Sequence, residues 1–290
     1  MRSIFKGSIV ALVTPFKNGA VDYDTLRELI EWQIASGTNG IVPCGTTGES
    51  PTLSHAEHDE VVAATVKAVR KRVPVLAGAG SNSTEEALRL TTHAEESGAD
   101  GVLVITPYYN KPTQAGLIAH FEAVAAHTKL PVVMYNVPGR TGVSIAPETV
   151  AHLAAIPNIV GVKEASGSID QASAILTSCQ IDLLSGDDSL TLPLMAVGGC
   201  GVISVVANVA PQKMVALTRA VFKGDLPAAE QLHRELFPLC KAMFIETSPI
   251  PVKTALAMMG KIREEFRLPL VPLSPQNREK VRAAIAAFIK

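Results

Sequence analysis

Short apolar runs alternate with amphipathic segments along almost the whole chain. The runs are nearly continuous in apolar residues, which is typical of strands covered on both faces of a sheet. The segments between them have helical spacing, and the pairs Ser54 with Glu57 and Ser83 with Glu86 match the capping box that begins many helices. We therefore predict strands, each entering a loop, within the eight ranges 8–16, 40–50, 73–80, 101–110, 130–142, 159–163, 181–190 and 201–211.

Eight strand–helix units predict a parallel sheet, because consecutive parallel strands need a helical crossover between them. Eight units close into a (β/α)8 barrel, the TIM-barrel fold of the α/β class, which typically takes about 250 residues. A doubly wound open sheet is the alternative, but no GxGxxG motif follows the first strand. The residues from 225 onward are helical in pattern, so we predict a barrel domain at 1–224 and a C-terminal helical extension at 225–290.

Composition narrows the possible functions. Of the 290 residues, 47% are hydrophobic and 18% charged, as in a globular protein. The formal net charge of −1 gives no reason to expect nucleic acid or an anionic membrane as a partner. The first apolar run is interrupted by Pro15 and is too short to span a membrane, so we expect a cytoplasmic protein.

No metal site is predicted. The four cysteines lack CxxC spacing, which argues against a zinc site and against a disulfide framework. Asp187 and Asp188 are adjacent, but no histidine or acidic cluster lies near them in sequence, so we predict turn or cap roles for both. Cys44 has no evident histidine partner, which favours a small buried residue over a nucleophile.

Lys163 is the most informative residue of the chain. It ends the apolar run that begins at Ile159, and lysine is almost never fully buried without a partner. Its amine could pair with Glu164 or reach water. Alternatively, an apolar environment would favour the neutral amine, which can form a Schiff base with a ketone. Because side chains alternate along a strand, we expect Ile159, Gly161 and Lys163 on one face, with open space beside Gly161.

Other polar and aromatic residues also fall at the predicted carboxyl ends of strands, where barrel enzymes build their active sites. Thr46 and Thr47 could receive a carboxylate, and Arg140 could clamp one. Tyr135 could transfer protons beside Lys163. Each residue also has an ordinary structural explanation, such as a turn, a core tyrosine or a solvated arginine. Further residues near these strand ends are Tyr108, Tyr109, Gly186 and Ile203.

Over essentially its whole length, the sequence resembles the 4-hydroxy-tetrahydrodipicolinate synthase (dihydrodipicolinate synthase) family. The resemblance rests jointly on the motifs GTTGES, PYYNKP, YNVPGRTG, GVKEASG, SGDD, GVISV and ETSPIPVK. It implies a (β/α)8 barrel with a C-terminal helical extension, usually assembled as a homotetramer of two tight dimers. Pro51 and Ser248 stand where the family often has alanine and asparagine.

The resemblance implies a class I aldolase mechanism without a metal or an organic cofactor. Pyruvate would condense with L-aspartate 4-semialdehyde, the first committed step of diaminopimelate and lysine biosynthesis. Lys163 would form the imine with pyruvate. Thr46 and Thr47 would hold the pyruvate carboxylate, and Arg140 would bind the carboxylate of the semialdehyde.

A proton relay is implied by the same resemblance. Tyr135 would move protons at the imine and aldol centres, and Thr46 and Tyr109 would extend the relay. In the family, the tyrosine that matches Tyr109 enters the active site of the neighbouring subunit. Gly186 and Ile203 would contribute to substrate binding.

A regulatory site is also implied. Synthases inhibited by L-lysine bind it at the dimer interface, and this chain matches that site at Ser50, His55, His58, Asn82, Glu86 and Tyr108. Helix capping and interface packing are the alternative explanation for these residues. We predict feedback inhibition by L-lysine.

Two classes of alternative function remain open, another aldolase of the same superfamily and a protein without enzymatic activity. N-acetylneuraminate lyase and sugar-acid aldolases of the same superfamily share the imine lysine and the tyrosine. Arg140 favours the synthase, because resemblance to the lyase would call for an apolar residue there. A barrel kept only as a binding or regulatory protein should have lost the set Lys163, Tyr135, Thr46 and Arg140, which this chain retains.

Overall fold

The predicted strands form one closed parallel sheet. This computed structural model describes residues 4–288. The barrel strands are β1 (Gly7–Ala11), β2 (Gly40–Val42), β3 (Leu76–Gly78), β4 (Gly101–Ile105), β5 (Val132–Asn136), β6 (Ile159–Glu164), β7 (Asp182–Ser185) and β8 (Gly201–Ser204). Their order in the sheet is β2-β1-β8-β7-β6-β5-β4-β3, and each pair is parallel. The two end strands also meet, since Ile41 and Val75 form a parallel bridge. The predicted (β/α)8 barrel is confirmed.

Helices follow the strands and cover the outside of the barrel. They are α1 (Tyr23–Ala35), α2 (His55–Val69), α3 (Thr84–Glu96), α4 (Gln114–His127), α5 (Pro138–Thr141), α6 (Pro147–Leu153), α7 (Ile169–Ser178), α8 (Thr191–Ala196), α9 (Pro211–Phe222), α10 (Leu226–Ala242), α11 (Ile250–Met258) and α12 (Pro275–Ile285). Capping residues account for several starts. Asp22 accepts a hydrogen bond from the backbone N–H of Thr25, and Ser54 with Glu57 completes a capping box.

The first predicted strand is shorter than its apolar run. β1 ends at Ala11, and Phe16–Lys17 pairs antiparallel with Ala20–Val21 in a short hairpin. Phe16 is fully buried, and its ring lies against Lys253 on α11.

Two apolar layers form the core. One fills the barrel interior and includes Phe5, Ile9, Leu103, Tyr135 and Ile203. The other lies between the strands and the helices and includes Val10, Ile41, Val104, Met134 and Val162. Because both faces of each strand are covered, the strands are apolar almost continuously along their length.

A β-bulge changes which residues of β6 share a face. Val132 pairs with Ile159 but Val133 pairs with Gly161, so Val160 is an extra residue on β6. Ile159 therefore packs in the outer layer, away from Lys163, and the prediction that they share a face is wrong. The predicted space beside Gly161 is also absent, because a Cβ there would lie 3.1 Å from the carbonyl oxygen of Asp182.

The C-terminal segment comprises α10, α11 and α12. α10 packs against α9, and α12 packs against α10 and α11. The predicted boundary between residues 224 and 225 falls in the turn between α9 and α10, and the division into two domains stays a prediction. Within residues 4–288, no helix is both long and apolar enough to cross a bilayer.

Candidate active site

Lys163 and Tyr135 lie side by side near the carboxyl ends of β6 and β5. The two residues are register partners in the parallel ladder. The Lys163 Nζ lies 4.0 Å from the centroid of the Tyr135 ring, and each residue is only 7% exposed. The barrel thus holds an amine and a phenol together at the top of its apolar interior.

The Glu164 carboxylate is directed away from the Lys163 amine, towards Asn136 and Ser166. Its Oε2 accepts a hydrogen bond from Asn136 Nδ2 at 2.9 Å, and its Oε1 accepts one from the Ser166 N–H at 2.7 Å. Burial raises the pKa of Glu164, while these hydrogen bonds act in the opposite direction. The simplest structural explanation of Lys163, an ion pair with its sequence neighbour, is therefore wrong.

Gly186 adjoins the Lys163 side chain. A Cβ at this position would lie 3.1 Å from Lys163 Cε and 2.5 Å from the Cβ of Ala165. Its N–H donates to the Glu164 carbonyl at 2.7 Å. The absence of a side chain at Gly186 is therefore what leaves room for the lysine.

The two aspartates after β7 have different environments. Asp188 is buried, and its carboxylate accepts hydrogen bonds from the Ser204 hydroxyl and from the N–H groups of Val205 and Val206 at 3.1 Å. Asp188 thus holds the backbone that follows β8. Burial raises the pKa of Asp187, and the positive charges of Lys163 and Lys241 oppose that rise.

Replacing Asp188 with asparagine should remove a pH dependence of stability. Burial raises the pKa of Asp188 from 3.8 to about 6. The folded state therefore binds this proton more tightly than the unfolded state does. The contribution of Asp188 to the free energy of unfolding is greatest below pH 3.8 and is lost as the pH rises through 6. Between pH 7 and 4.5, the free energy of unfolding should rise by about 2 kcal/mol more in the wild type than in Asp188→Asn. Urea unfolding at four pH values measures this, and a pH-independent difference would contradict it.

The GTTGES loop forms two consecutive 3₁₀ turns after β2. The turns span Thr46–Gly48 and Ser50–Thr52. The carbonyl of Gly48 accepts a hydrogen bond from the buried Thr14 hydroxyl at 2.7 Å. Because the first N–H groups of a helical turn have no partner within it, the loop offers amide and hydroxyl donors to a carboxylate.

One cavity of about 420 Å³ opens beside Lys163. It is lined by most of the residues predicted for catalysis and most of those predicted for lysine binding. From the first set these are Thr46, Thr47, Tyr135, Arg140 and Lys163, and from the second set Ser50, His55, His58, Glu86 and Tyr108. The structure therefore brings together residues that lie more than a hundred positions apart in sequence.

Four predicted residues lie outside that lining. Ile203 is fully buried in the barrel interior, and Gly186 lies behind Lys163. Tyr109 is 89% exposed and has a positive φ of 72°. The carbonyl of Asn82 accepts a hydrogen bond from Asn110 Nδ2 at 2.8 Å.

Arg140 lies on the short helix α5 at the mouth of the cavity. It is exposed, and its Nη2 donates to the carbonyl of Ser248 at 3.2 Å. The C-terminal segment thus helps to hold this guanidinium, which keeps further donors free for an anion.

The Glu86 carboxylate faces His55 instead of completing a capping box. Ser83 accepts a hydrogen bond from the Glu86 N–H, as predicted, but the Glu86 side chain contacts His55 Nε2 at 2.7 Å and the Ser81 hydroxyl. Both contacts lower the pKa of Glu86, the Ser81 hydrogen bond more strongly. Burial lowers the pKa of His58 in the same region. The Glu86 carboxylate, beside His55 and Ser81, is therefore a candidate binding partner for an ammonium group.

Cys44 is buried, as predicted. Its Sγ faces the His58 carbonyl at 3.6 Å, and burial raises the pKa of the thiol, which disfavours the nucleophilic thiolate. All four cysteines are free thiols. Residues 4–288 contain no group of three or more His, Cys, Asp or Glu side chains that could hold a metal ion.

The sequence profile of the dihydrodipicolinate synthetase family matches residues 4–288. The chain belongs to this family. A 4-hydroxy-tetrahydrodipicolinate synthase of Syntrophus aciditrophicus (strain SB) is 59% identical over 287 residues, which is 98% of this chain and 99% of the relative. The predicted family, and the predicted class of lyase, are confirmed.

Two solved structures of the family have informative ligands. A chloride-inhibited dihydrodipicolinate synthase from Acinetobacter baumannii, complexed with pyruvate, is 46% identical, with a TM-score of 0.96 over 98% of this chain and 99% of its own. A synthase from Cyanidioschyzon merolae with lysine bound is 40% identical, with a TM-score of 0.96 over 99% of each chain. These matches also confirm the fold predicted from the sequence.

Sequence analysis missed the buried residues that support the GTTGES loop. Glu49 and Lys253 form an ion pair with no exposed side-chain surface. They lie in the motifs GTTGES and ETSPIPVK, but no local pattern connects two residues so far apart in the chain. The signal in the sequence was the opposite charge of Glu49 and Lys253, each within a motif made mainly of small or apolar residues.

Proposed function

We propose that the chain condenses pyruvate with L-aspartate 4-semialdehyde to give 4-hydroxy-tetrahydrodipicolinate and water, the first committed step of diaminopimelate and lysine biosynthesis. The observation that carries this proposal is the pairing of Lys163 with Tyr135 in a cavity that Thr46, Thr47 and Arg140 also line. One amine, one phenol and two groups of anion donors suit two carboxylate substrates, one of which forms an imine. The activity of the Syntrophus relative and the pyruvate complex of the Acinetobacter structure support it.

The first half of the reaction makes a carbon nucleophile. Thr46 and Thr47 hold the pyruvate carboxylate while the Lys163 amine attacks the ketone, and water leaves to give the protonated imine. The imine draws electrons from the adjacent methyl group, and Tyr135 with its relay partners takes the methyl proton. The product is an enamine.

The second half forms the carbon–carbon bond and the ring. The enamine attacks the aldehyde carbon of the semialdehyde, and Tyr135 returns a proton to the new alkoxide. The amine of the semialdehyde then attacks the imine carbon, the C–N bond to Lys163 breaks, and the ring closes. Lys163 is released as the free amine, and the imine itself serves as the electron sink, so no metal or organic cofactor is required.

Arg140 binds the carboxylate of the semialdehyde in this proposal. Arg140→Met keeps a side chain of similar length but removes the charge-assisted hydrogen bonds. We expect the KM for the semialdehyde to rise roughly 10–100-fold, the loss typical of such bonds, while imine formation with pyruvate is preserved. Steady-state kinetics with each substrate varied in turn measures this split. Arg278→Met is the control, and an equal loss of affinity for pyruvate would contradict the assigned role.

The exposure of Tyr109 favours an oligomeric assembly. Its side chain is 89% exposed on a loop beside the cavity, which suits a residue that completes a neighbouring subunit's relay. We assign the chain to a homo-oligomer, either a tetramer built as a dimer of dimers or a dimer. Sedimentation equilibrium tests this, because a fully active monomer is incompatible with a shared relay.

L-Lysine should inhibit the enzyme at Ser50, His55, His58, Asn82, Glu86 and Tyr108. The Glu86 carboxylate beside His55 provides a partner for an ammonium group, and the lysine-bound neighbour supports this site. Millimolar L-lysine should slow turnover, and Glu86→Gln should raise the inhibition constant about tenfold, the effect of losing one charged hydrogen bond. Glu85→Gln, one residue away and exposed, is the matched control. An unchanged rate in millimolar lysine would exclude this site as inhibitory.

The chain's other interactions follow from its charge. With a formal net charge of −1, it lacks the excess of basic residues that attracts nucleic acid or anionic membranes. We assign it to the cytoplasm, with small molecules and further copies of itself as partners.

A coupled assay tests the proposed reaction. Pyruvate and aspartate 4-semialdehyde are supplied with a reductase that reports the product through loss of NADPH. In parallel, borohydride reduction in the presence of pyruvate should label Lys163 and leave Lys253 unlabelled. Lys253 is a suitable internal control because it is buried, and burial lowers its pKa, yet it is ion-paired with Glu49. An adduct without turnover would reject the semialdehyde and lead to tests with N-acetylmannosamine and sugar-acid aldehydes, and the absence of both would reject the proposed chemistry.

A further inference from the structure

The C-terminal segment reaches the loop that carries Thr46 and Thr47 through a buried ion pair. The Nζ of Lys253 on α11 contacts the Glu49 carboxylate, and neither side chain has any exposed surface. The same Nζ lies 4.1 Å from the centroid of the Phe16 ring, and the N–H of Arg267 reaches the second Glu49 oxygen at 3.4 Å. Glu49 is therefore anchored by residues more than 200 positions away in sequence.

The backbone at Glu49 needs such an anchor. Glu49 has φ 53° and ψ 35°, a left-handed conformation that costs free energy for any residue with a Cβ. Its N–H donates to the Thr46 carbonyl at 3.2 Å, and its own carbonyl accepts from the Thr52 N–H at 2.9 Å. The conformation of Glu49 therefore sets how the turn with Thr46 and Thr47 is joined to the turn that follows it.

A gain in stability alone does not readily explain why Glu49 and Lys253 form a buried ion pair. Burying two charges costs desolvation free energy, and well-packed apolar residues of similar volume often give equal or greater stability. A buried pair of fixed geometry does, however, specify one arrangement of the groups attached to it. Here the attached group is the loop that lines the cavity beside Lys163.

We propose that Glu49 and Lys253 are positioning residues for the carboxylate-binding threonines, so that the C-terminal segment sets the affinity for pyruvate. Neither residue lines the cavity, and they act through the left-handed link between the two turns. This inference rests on the function proposed above, in which Thr46 and Thr47 hold the pyruvate carboxylate.

A double variant separates positioning from stability. Lys253→Met leaves the Glu49 carboxylate buried without its cation, so both stability and loop geometry suffer. Glu49→Gln combined with Lys253→Met removes both charges at similar volume and should restore most of the unfolding temperature. If the pair positions the loop, the double variant keeps a KM for pyruvate raised about tenfold, while kcat at saturating pyruvate stays within about threefold of the wild type.

Hydrogen exchange provides a readout that does not depend on activity. Backbone amides in residues 45–52 should exchange faster in the double variant than in the wild type. Lys213→Met is the control, because it breaks a solvent-exposed ion pair of the C-terminal segment, Glu235 on α10 with Lys213 on α9. In this control, neither the KM for pyruvate nor exchange in residues 45–52 should change.

The outcomes are distinct. A double variant with wild-type KM for pyruvate and wild-type exchange overturns the positioning role and leaves a pair that serves the fold alone. If the double variant does not fold, Glu49→Gln alone, which keeps a polar acceptor for Lys253, is measured in the same way and decides by the same two criteria. If wild-type protein forms no imine with pyruvate, the proposed function fails, whereas exchange in residues 45–52 still tests whether the pair holds the loop.

Discussion

Lys163→Ala should lower kcat at least about 10⁴-fold and abolish the borohydride-trapped adduct with pyruvate. The physical reason is that the amine forms the covalent bond on which every later step depends. Among the cavity-lining residues that the structure describes, Lys163 is the one lysine. Lys253 is engaged by Glu49, and Lys241, whose positive charge also opposes the rise in the pKa of Asp187, is exposed.

The control for this prediction is Lys241→Ala. The positive charge of Lys241, like that of Lys163, opposes the rise in the pKa of Asp187. Removing Lys241 therefore changes the local charge but leaves the imine chemistry intact. We expect kcat within about twofold of the wild type. For each variant, the turnover rate, the mass of the trapped adduct and the unfolding temperature are measured and compared with the wild type. A trapped adduct that persists in Lys163→Ala would mean that another lysine is the nucleophile.

Tyr135→Phe should lower kcat by about 10²–10³-fold while the imine with pyruvate still forms. Phenylalanine keeps the ring over Lys163 Nζ, where the amine lies 4.0 Å from the centroid, and removes only the hydroxyl. Packing in the barrel interior is therefore preserved, and the change isolates proton transfer. In this variant, the amount of imine trapped in a single turnover should fall much less than the steady-state turnover rate.

Tyr23→Phe is the matched control. It removes a hydroxyl from a half-buried tyrosine on α1, outside the residues that line the cavity. Turnover should stay close to that of the wild type. Equal losses in Tyr23→Phe and Tyr135→Phe would show that the effect is one of packing rather than proton transfer.

Some parts of the fold could be predicted because their causes are local. The helix starts at Ser54 and Ser83 follow from side chains that satisfy one of the first N–H groups of each helix. The strands follow from apolar runs that are buried on both sides. Their number and parallel direction then place Lys163, Tyr135 and Thr46 at the same end of the barrel.

Other features depend on register, and register is not visible in a single strand. The bulge at Val160 moves Ile159 to the outer layer, although simple alternation puts it beside Lys163. The glycine that makes room for Lys163 is Gly186 on the adjacent strand's loop, and not Gly161 on its own strand. Both differences arise because neighbouring strands, through their hydrogen bonds, decide which side chains come into contact.

The sequence by itself determined the order of strands and helices, their caps and the residues at the carboxyl ends of the strands, because periodicity and capping act within a few residues. Only the tertiary structure decided which of those residues share one cavity, that Glu164 turns towards Asn136, and that Glu49 meets Lys253. These contacts join positions up to 204 residues apart. They exist only after the barrel has closed and the C-terminal helices have packed against it, since the burial that makes each contact specific is a property of the whole fold.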